Sequence, residues 1–288
     1  MKKGFRILKW VLLGLGGLAL LLLLLIGAAD RYLSTERGAK WLYSDVEQPL
    51  DIRYTPNRVR YLQIGDTTKT PLLLLHGAPG GLFDWLAIAK RDTLYEEYYL
   101  LIPERPGYGG TLPKVAEPSV IQQAEALLPV LKQQKRPAVL MGHSYGAPVA
   151  VAMGALAPAS VMHIFGLSGA YDPSLEIVFG ISYWIDYPWA RYLLPCPIWV
   201  SNVEKLHHAE ALREAKPLFQ QAAVPITLAH GTKDQLVPFG NSTYLRKLKP
   251  NKTKLIPLPG QPHPVHVMLP DYLAQLLLGQ RPPVPSSE

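Results

Sequence analysis

A chain of 288 residues, 48% of them apolar, has enough material for one substantial domain with a buried core or for two small ones. Its formal charge of +7 comes from 29 basic and 22 acidic residues; Lys2, Lys3, Arg6 and Lys9 supply much of it, and the other cations are dispersed without interleaved aromatics, which excludes a nucleic-acid partner. The lone cysteine, Cys196, excludes an intrachain disulfide, and with neither a CxxC pair nor a dense His and Cys cluster no metal or cofactor is expected.

In chain order, the first feature is the uncharged, leucine-centred run 10–29. At about 1.5 Å per residue it makes a helix of roughly 30 Å, the thickness of a bilayer's hydrocarbon core. The four cations before it stand without an acid, whereas Asp30, Arg31, Glu36 and Arg37 after it are mixed. That asymmetry keeps the start cytoplasmic and sends the rest of the chain to the periplasmic or extracellular side. Residues 1–29 are thus expected to be a basic flank and a single-pass signal-anchor. Gly27 and Ala29 also have a signal peptidase's small-residue spacing, so secretion after cleavage is the alternative; a run longer than the usual h-region of about 7–15 residues favours retention. Residues 30–50, with Trp41 and Tyr43, read as a juxtamembrane connector leaning on the bilayer interface.

From residue 51 the pattern changes. RVRYLQIG (58–65) alternates like a half-exposed strand, while PLLLLHG (71–77), YYLLIP (98–103), PAVLMGHS (137–144), HIFGLSG (163–169), PITLAHG (225–231) and TKLIPLPG (253–260) read as buried strands. Helical patterns occupy 119–134, 145–157 and 271–279. Strands alternating with helices predict an α/β architecture, a mostly parallel sheet covered on both faces. The rhythm breaks over 172–217, an aromatic-rich stretch expected to form a cap inserted between two core segments, 51–171 and 218–280; Trp184 and Trp189 in it are candidate substrate-pocket residues. The proline-rich end, 281–288, is expected to be a disordered tail.

GHSYG (142–146) follows a buried strand and precedes a helix of small residues, the strand, sharp turn and helix that a GxSxG nucleophile elbow requires. A serine hydroxyl needs a neighbouring base and a group to orient that base. GTKDQLVP (231–238) places Asp234 after one strand, and GQPHPVH (260–266) places His263 and His266 after the last. The catalytic set expected is Ser144, Asp234 and His263, with His266 a pocket residue and Asp172 a reserve acid. HGAPG (76–80) would contribute the amide of Ala78, and the elbow that of Tyr145, to an oxyanion hole. His143 is read as packing, and His207 and His208 as solvent-facing.

The order HGAPG, PERPGYGGT (103–111), GHSYG, GTKDQLVP and GQPHPVHVMLPD resembles that of the α/β-hydrolase fold, over about 58–278. Members with a serine elbow include esterases, lipases, cofactor-free perhydrolases, carbon-carbon bond hydrolases and some peptidases, among which fold alone does not choose. Epoxide hydrolases and haloalkane dehalogenases carry Asp at the elbow, and Ser144 argues against them. Glu104 stands where relatives commonly have Asp, in the same structural role, and the distance from His263 to Pro270 fits the family's histidine. The resemblance implies a serine hydrolase acting through an acyl-enzyme on a small-molecule ester with an apolar portion. A peptidase, an acyltransferase or a non-catalytic membrane-tethered binding protein are the rival readings.

Overall fold

Eight strands make one sheet in the order β1-β2-β4-β3-β5-β6-β7-β8. They are β1 (Leu50–Tyr54), β2 (Arg60–Ile64), β3 (Thr70–Leu75), β4 (Tyr98–Pro103), β5 (Ala138–His143), β6 (Val161–Leu167), β7 (Ile226–Gly231) and β8 (Thr253–Leu258). β2 pairs antiparallel with β1 and β4, and every other pairing is parallel. The computed structural model describes residues 2–188 and 190–280, so Trp189 and the tail 281–288 lie outside the described residues.

The continuous apolar runs become central strands because both faces of the sheet are covered. On β3, Leu73 and Leu75 pack with Leu127, Leu140 and Val149 on one face, while Leu72 and Leu74 pack with Trp85, Met141 and Leu273 on the other. This is the two-residue alternation of a strand with both sides apolar. Each such leucine stabilises the fold by about 1.5–3 kcal/mol. The helix Val120–Lys132 starts at Ser119, whose hydroxyl accepts from the Gln122 amide at 3.3 Å.

Three expectations change. β1 lies within what read as connector and core start: it is a half-exposed edge strand whose five residues carry little apolar signal. The connector packs on the sheet, since its helix Glu36–Leu42 buries Ala39 and is followed by a buried Tyr43 that donates to the Leu82 carbonyl at 2.6 Å. The aromatic insertion divides in function. Its short helices Gly180–Trp184 and Ala190–Leu193 lie largely exposed, but the long helix Cys196–Gln221 runs past residue 217 and places Leu212, Ala215 and Phe219 in the core.

The N-terminal helix Lys2–Leu33 contains the segment Lys9–Leu33, which is long and apolar enough to cross a membrane, with mean hydropathy 2.7 and no part of that window buried in the protein. Its end is held by the sheet. Buried Arg60 donates to the Leu33 carbonyl at 2.8 Å and the Ser34 carbonyl at 2.7 Å, and pairs with Glu104 at 2.6 Å. Carbonyls that a helix C-terminus leaves open are thereby satisfied by a cation, which also suits the dipole.

Candidate active site

β5 ends at His143, and the next residue, Ser144, adopts φ +52°, a left-handed conformation rare for a side chain other than glycine. The turn holds because its neighbours are glycines: a Cβ on Gly142 would overlap the Gly146 carbonyl, and one on Gly146 the Leu75 carbonyl. The Ser144 amide donates to the Leu167 carbonyl at 2.9 Å, tying the elbow to β6. Tyr145 then caps the helix Gly146–Leu156.

Asp234 follows β7. One carboxylate oxygen accepts from the Leu236 and Val237 amides at 3.0 and 2.8 Å; the other lies 2.7 Å from His263 Nδ1 and 3.3 Å from His230 Nε2. Burial pushes this carboxyl up, but the bonds from His230, His263 and Val237 outweigh it and hold the group well below the usual carboxylate range. With Nδ1 on the carboxylate, His263 has Nε2 left for the cavity that Ser144 also lines. No hydrogen bond joins Ser144 to His263 among the described residues; such contacts commonly tighten only with substrate bound.

His266 does not compete for Asp234. It lies in the short helix Val265–Met268 after Pro264, is buried, and packs against His143 with ring centroids 3.9 Å apart and against Trp85 at 5.3 Å. Burial, then the neighbouring His263, push its pKa down to about 4, so it stays neutral across the physiological range. It lines the cavity above Ser144. Asp172 accepts from its own neighbour Ser174 and makes no bond to either histidine. His143 Nε2 lies 3.3 Å from the His263 carbonyl, a buried ring with its pKa well below normal through burial and the two other histidines.

The amides of Ala78 and Tyr145 have no hydrogen-bond acceptor among the described residues, and both residues line the cavity beside Ser144. The loop carrying Ala78 is braced. Gly77 N donates to Asp84 at 3.3 Å, and Arg105, fully buried, donates to the carbonyls of His76 and Gly77 at 3.0 and 2.7 Å. Burial raises Asp84 to about 7 against the opposing Gly77 amide and Arg105 charge. Arg105 also pairs with buried Glu204 of the long helix at 2.6 Å, where Gln123 and Tyr108 donate too. Residues that could hold a metal are Asp84, His143 and His266, whose ligand atoms lie within 4.8 Å of one another. The two rings there pack with centroids 3.9 Å apart, tilted 40° to each other.

The cavity above Ser144 has a volume of about 660 Å³, and Phe83, Ile177, Phe179, Ile185 and Ile198 give it an apolar wall. Trp184 corrects an expectation: it is 72% exposed and absent from that wall, because its short helix turns Ser182 inward instead. His208 corrects another: it is buried, stacked on Tyr145 at 4.3 Å and 3.1 Å from Glu176, while His207 is exposed. Sequence reasoning missed His230, Asp84, Arg105 and Glu204. His230 precedes Asp234 by one helical turn's spacing and Arg105 sits in PERPGYG, yet neither position discloses its distant partner.

A profile of the alpha/beta hydrolase family matches residues 72–278, spanning the loop of Ala78, the elbow and both later loops. The chain belongs to the alpha/beta hydrolase family. A dihydrolipoyllysine-residue acetyltransferase component of the acetoin cleaving system from Cupriavidus necator is 31% identical over 108 residues, 37% of this chain and 28% of that one. The chain thus spans under a third of that curated relative's length. Among solved structures, a bacterial membrane phospholipase A aligns with TM-score 0.64 at 18% identity, covering 97% of each chain. A putative lipase from Acinetobacter baumannii aligns with TM-score 0.65 at 18% identity, over 83% of this chain and 93% of that one. At such identities these likenesses speak to the hydrolase fold alone.

Proposed function

We propose that this hydrolase is a membrane-anchored serine esterase for substrates with an apolar acyl portion, with Ser144 as nucleophile, His263 as base and Asp234 as its orienting acid. The observation that carries the reading is the 2.7 Å bond from His263 Nδ1 to Asp234, on a ring lining the same cavity as the strained Ser144. Ser144 Oγ attacks the ester carbonyl carbon as His263 Nε2 takes its proton. The resulting oxyanion lies against the amides of Ala78 and Tyr145, each worth roughly 3 kcal/mol of barrier, with the positive end of the helix Gly146–Leu156 behind them. His263 returns the proton to the departing alcohol. Water, activated the same way, then releases the acid. Asp234 keeps the imidazole in the tautomer that presents Nε2, and its depressed pKa keeps it ionised throughout.

The apolar cavity wall supports an acyl chain or aromatic group rather than a charged one. In this reading the part of 172–217 before the long helix acts as the cap, 10–29 as the retained anchor, and the basic start stays cytoplasmic with the hydrolase domain outside. The decisive experiment treats the purified full chain with a fluorophosphonate probe and screens esters of graded acyl length. Labelling of Ser144 with saturable ester turnover is expected. Absence of labelling overturns the nucleophile and leaves a binding protein; turnover of amides instead marks a peptidase, and products formed only with added alcohol or amine an acyltransferase.

A further inference from the structure

Within the aromatic insertion, Ile181, Tyr183, Trp184, Tyr192 and Leu193 are each more than 60% exposed. A soluble surface seldom gathers that many large apolar side chains in one short segment. Of these, Tyr192 and Leu193 lie beside the N-terminal helix. A groove of about 860 Å³ is bounded by Leu20, Leu23 and Leu24 of that helix on one side and by Tyr192, Leu193 and Leu194 on the other. Gly27 faces Pro195 so closely that an added Cβ would sit 3.8 Å from that ring. Leu20 and Leu24 lie about 14 and 8 Å inside the outer end of the apolar run at about 1.5 Å per residue. Anything abreast of them is therefore at hydrocarbon depth once the helix spans a bilayer.

From this we infer that the exposed face formed by Ile181, Tyr183, Trp184, Tyr192 and Leu193 is immersed in the outer leaflet of the bilayer that holds the helix, and that this leaflet is the source of the substrate's acyl chain. The inference rests on the anchor proposed above. Three further observations fit a lipid partner. Arg31, Lys114 and Arg191 line the same groove, against a single acid, Asp30, which suits phosphate headgroups. Tyr and Trp, both present in this face, are the side chains that favour a membrane interface. Phe179, two residues before Ile181, is exposed and also lines the cavity over Ser144, so the surface runs on into the candidate site. The long helix behind the face is fastened to the domain by the buried Arg105–Glu204 pair, and Arg60 fastens the membrane helix, so the two cannot drift apart.

The test places an environment-sensitive fluorophore at Ile181→Cys or Leu193→Cys in the full chain carrying Cys196→Ser, reconstituted in phosphatidylcholine and phosphatidylglycerol vesicles. Asn251→Cys, exposed in the turn before β8, is the control. Lipids brominated in their acyl chains should quench both cap labels at least twofold and leave the control unchanged. Cap labels as insensitive as the control, in protein that floats with vesicles after alkaline carbonate, overturn the inference and leave the anchor standing. Protein that does not float overturns the anchor and the inference with it. Shielding that persists in detergent and scales with protein concentration assigns the face to a second copy and overturns the lipid. In parallel, Ile181→Asp with Leu193→Asp should lower turnover of a vesicle-embedded ester at least tenfold while a soluble short-chain ester is hydrolysed within twofold of the parent rate. Equal losses on both substrates overturn it.

Discussion

Single residues carry the sharpest expectations, because two histidines three positions apart meet different neighbours. His263 reaches Asp234 and His266 packs on His143 and Trp85. His263→Ala should therefore lower ester turnover by at least about a thousandfold, and Asp234→Asn should cost of the same order, whereas His266→Ala should stay within about tenfold. Steady-state kinetics with circular dichroism on each variant checks this, and an inactive His266→Ala would reassign the base. Two carboxyls of the site also titrate with opposite sign. Asp84 has its folded pKa raised to about 7, so it contributes most below its unfolded value near ~4 and loses that stability as pH rises toward 7. Asp234 has its folded pKa depressed, so its contribution is present above that unfolded value and is lost as pH falls through the folded one. Melting temperature followed from pH 3 to 8 should show Asp84→Asn gaining on the parent toward pH 7.5, and Asp234→Asn losing part of the parent's acid limb.

Among the elements, the helix Cys196–Gln221 couples core to site. Glu204→Ala would leave the Arg105 guanidinium buried without its carboxylate, at a cost of about 3–5 kcal/mol, read as a lower denaturation midpoint. Phe179→Ala should shift preference among acyl chain lengths, since its ring walls the cavity; a uniform loss across chain lengths would mark it as packing only. This helix also shows where sequence reading stopped. The central strands and the elbow were legible because a strand buried on both faces leaves an unbroken apolar run and a tight turn demands glycine. Cys196–Gln221 instead buries Asn202, Glu204 and His208 alongside its apolar residues, which blurs its periodicity, and Glu204 finds Arg105 at a separation of 99 residues. β1 escaped notice because a half-exposed five-residue edge has no such signature. Of the candidate site, the serine, the acid and the histidine each follow a recognisable strand, while the second histidine on Asp234 and the brace behind Ala78 are products of the fold.

For the whole molecule, the expected topology is tested by a periplasmic or extracellular reporter fused after Glu288, which should be active; activity of a cytoplasmic reporter alone would reverse the orientation, and a mature N-terminus at Asp30 would establish cleavage. The clamp of Arg60 on the last carbonyls of the helix Lys2–Leu33 has a mechanical meaning. Two residues separate that helix from the next, Glu36–Leu42, so the connection between them is short. A span in a thicker membrane stands more upright, and in a thinner one it leans. With a flexible leash such leaning would be absorbed by the linker. If the helix is the anchor proposed above, the Arg60 bonds would carry a tilt of the span to the entrance over Ser144, and bilayer thickness would then be an input to the reaction.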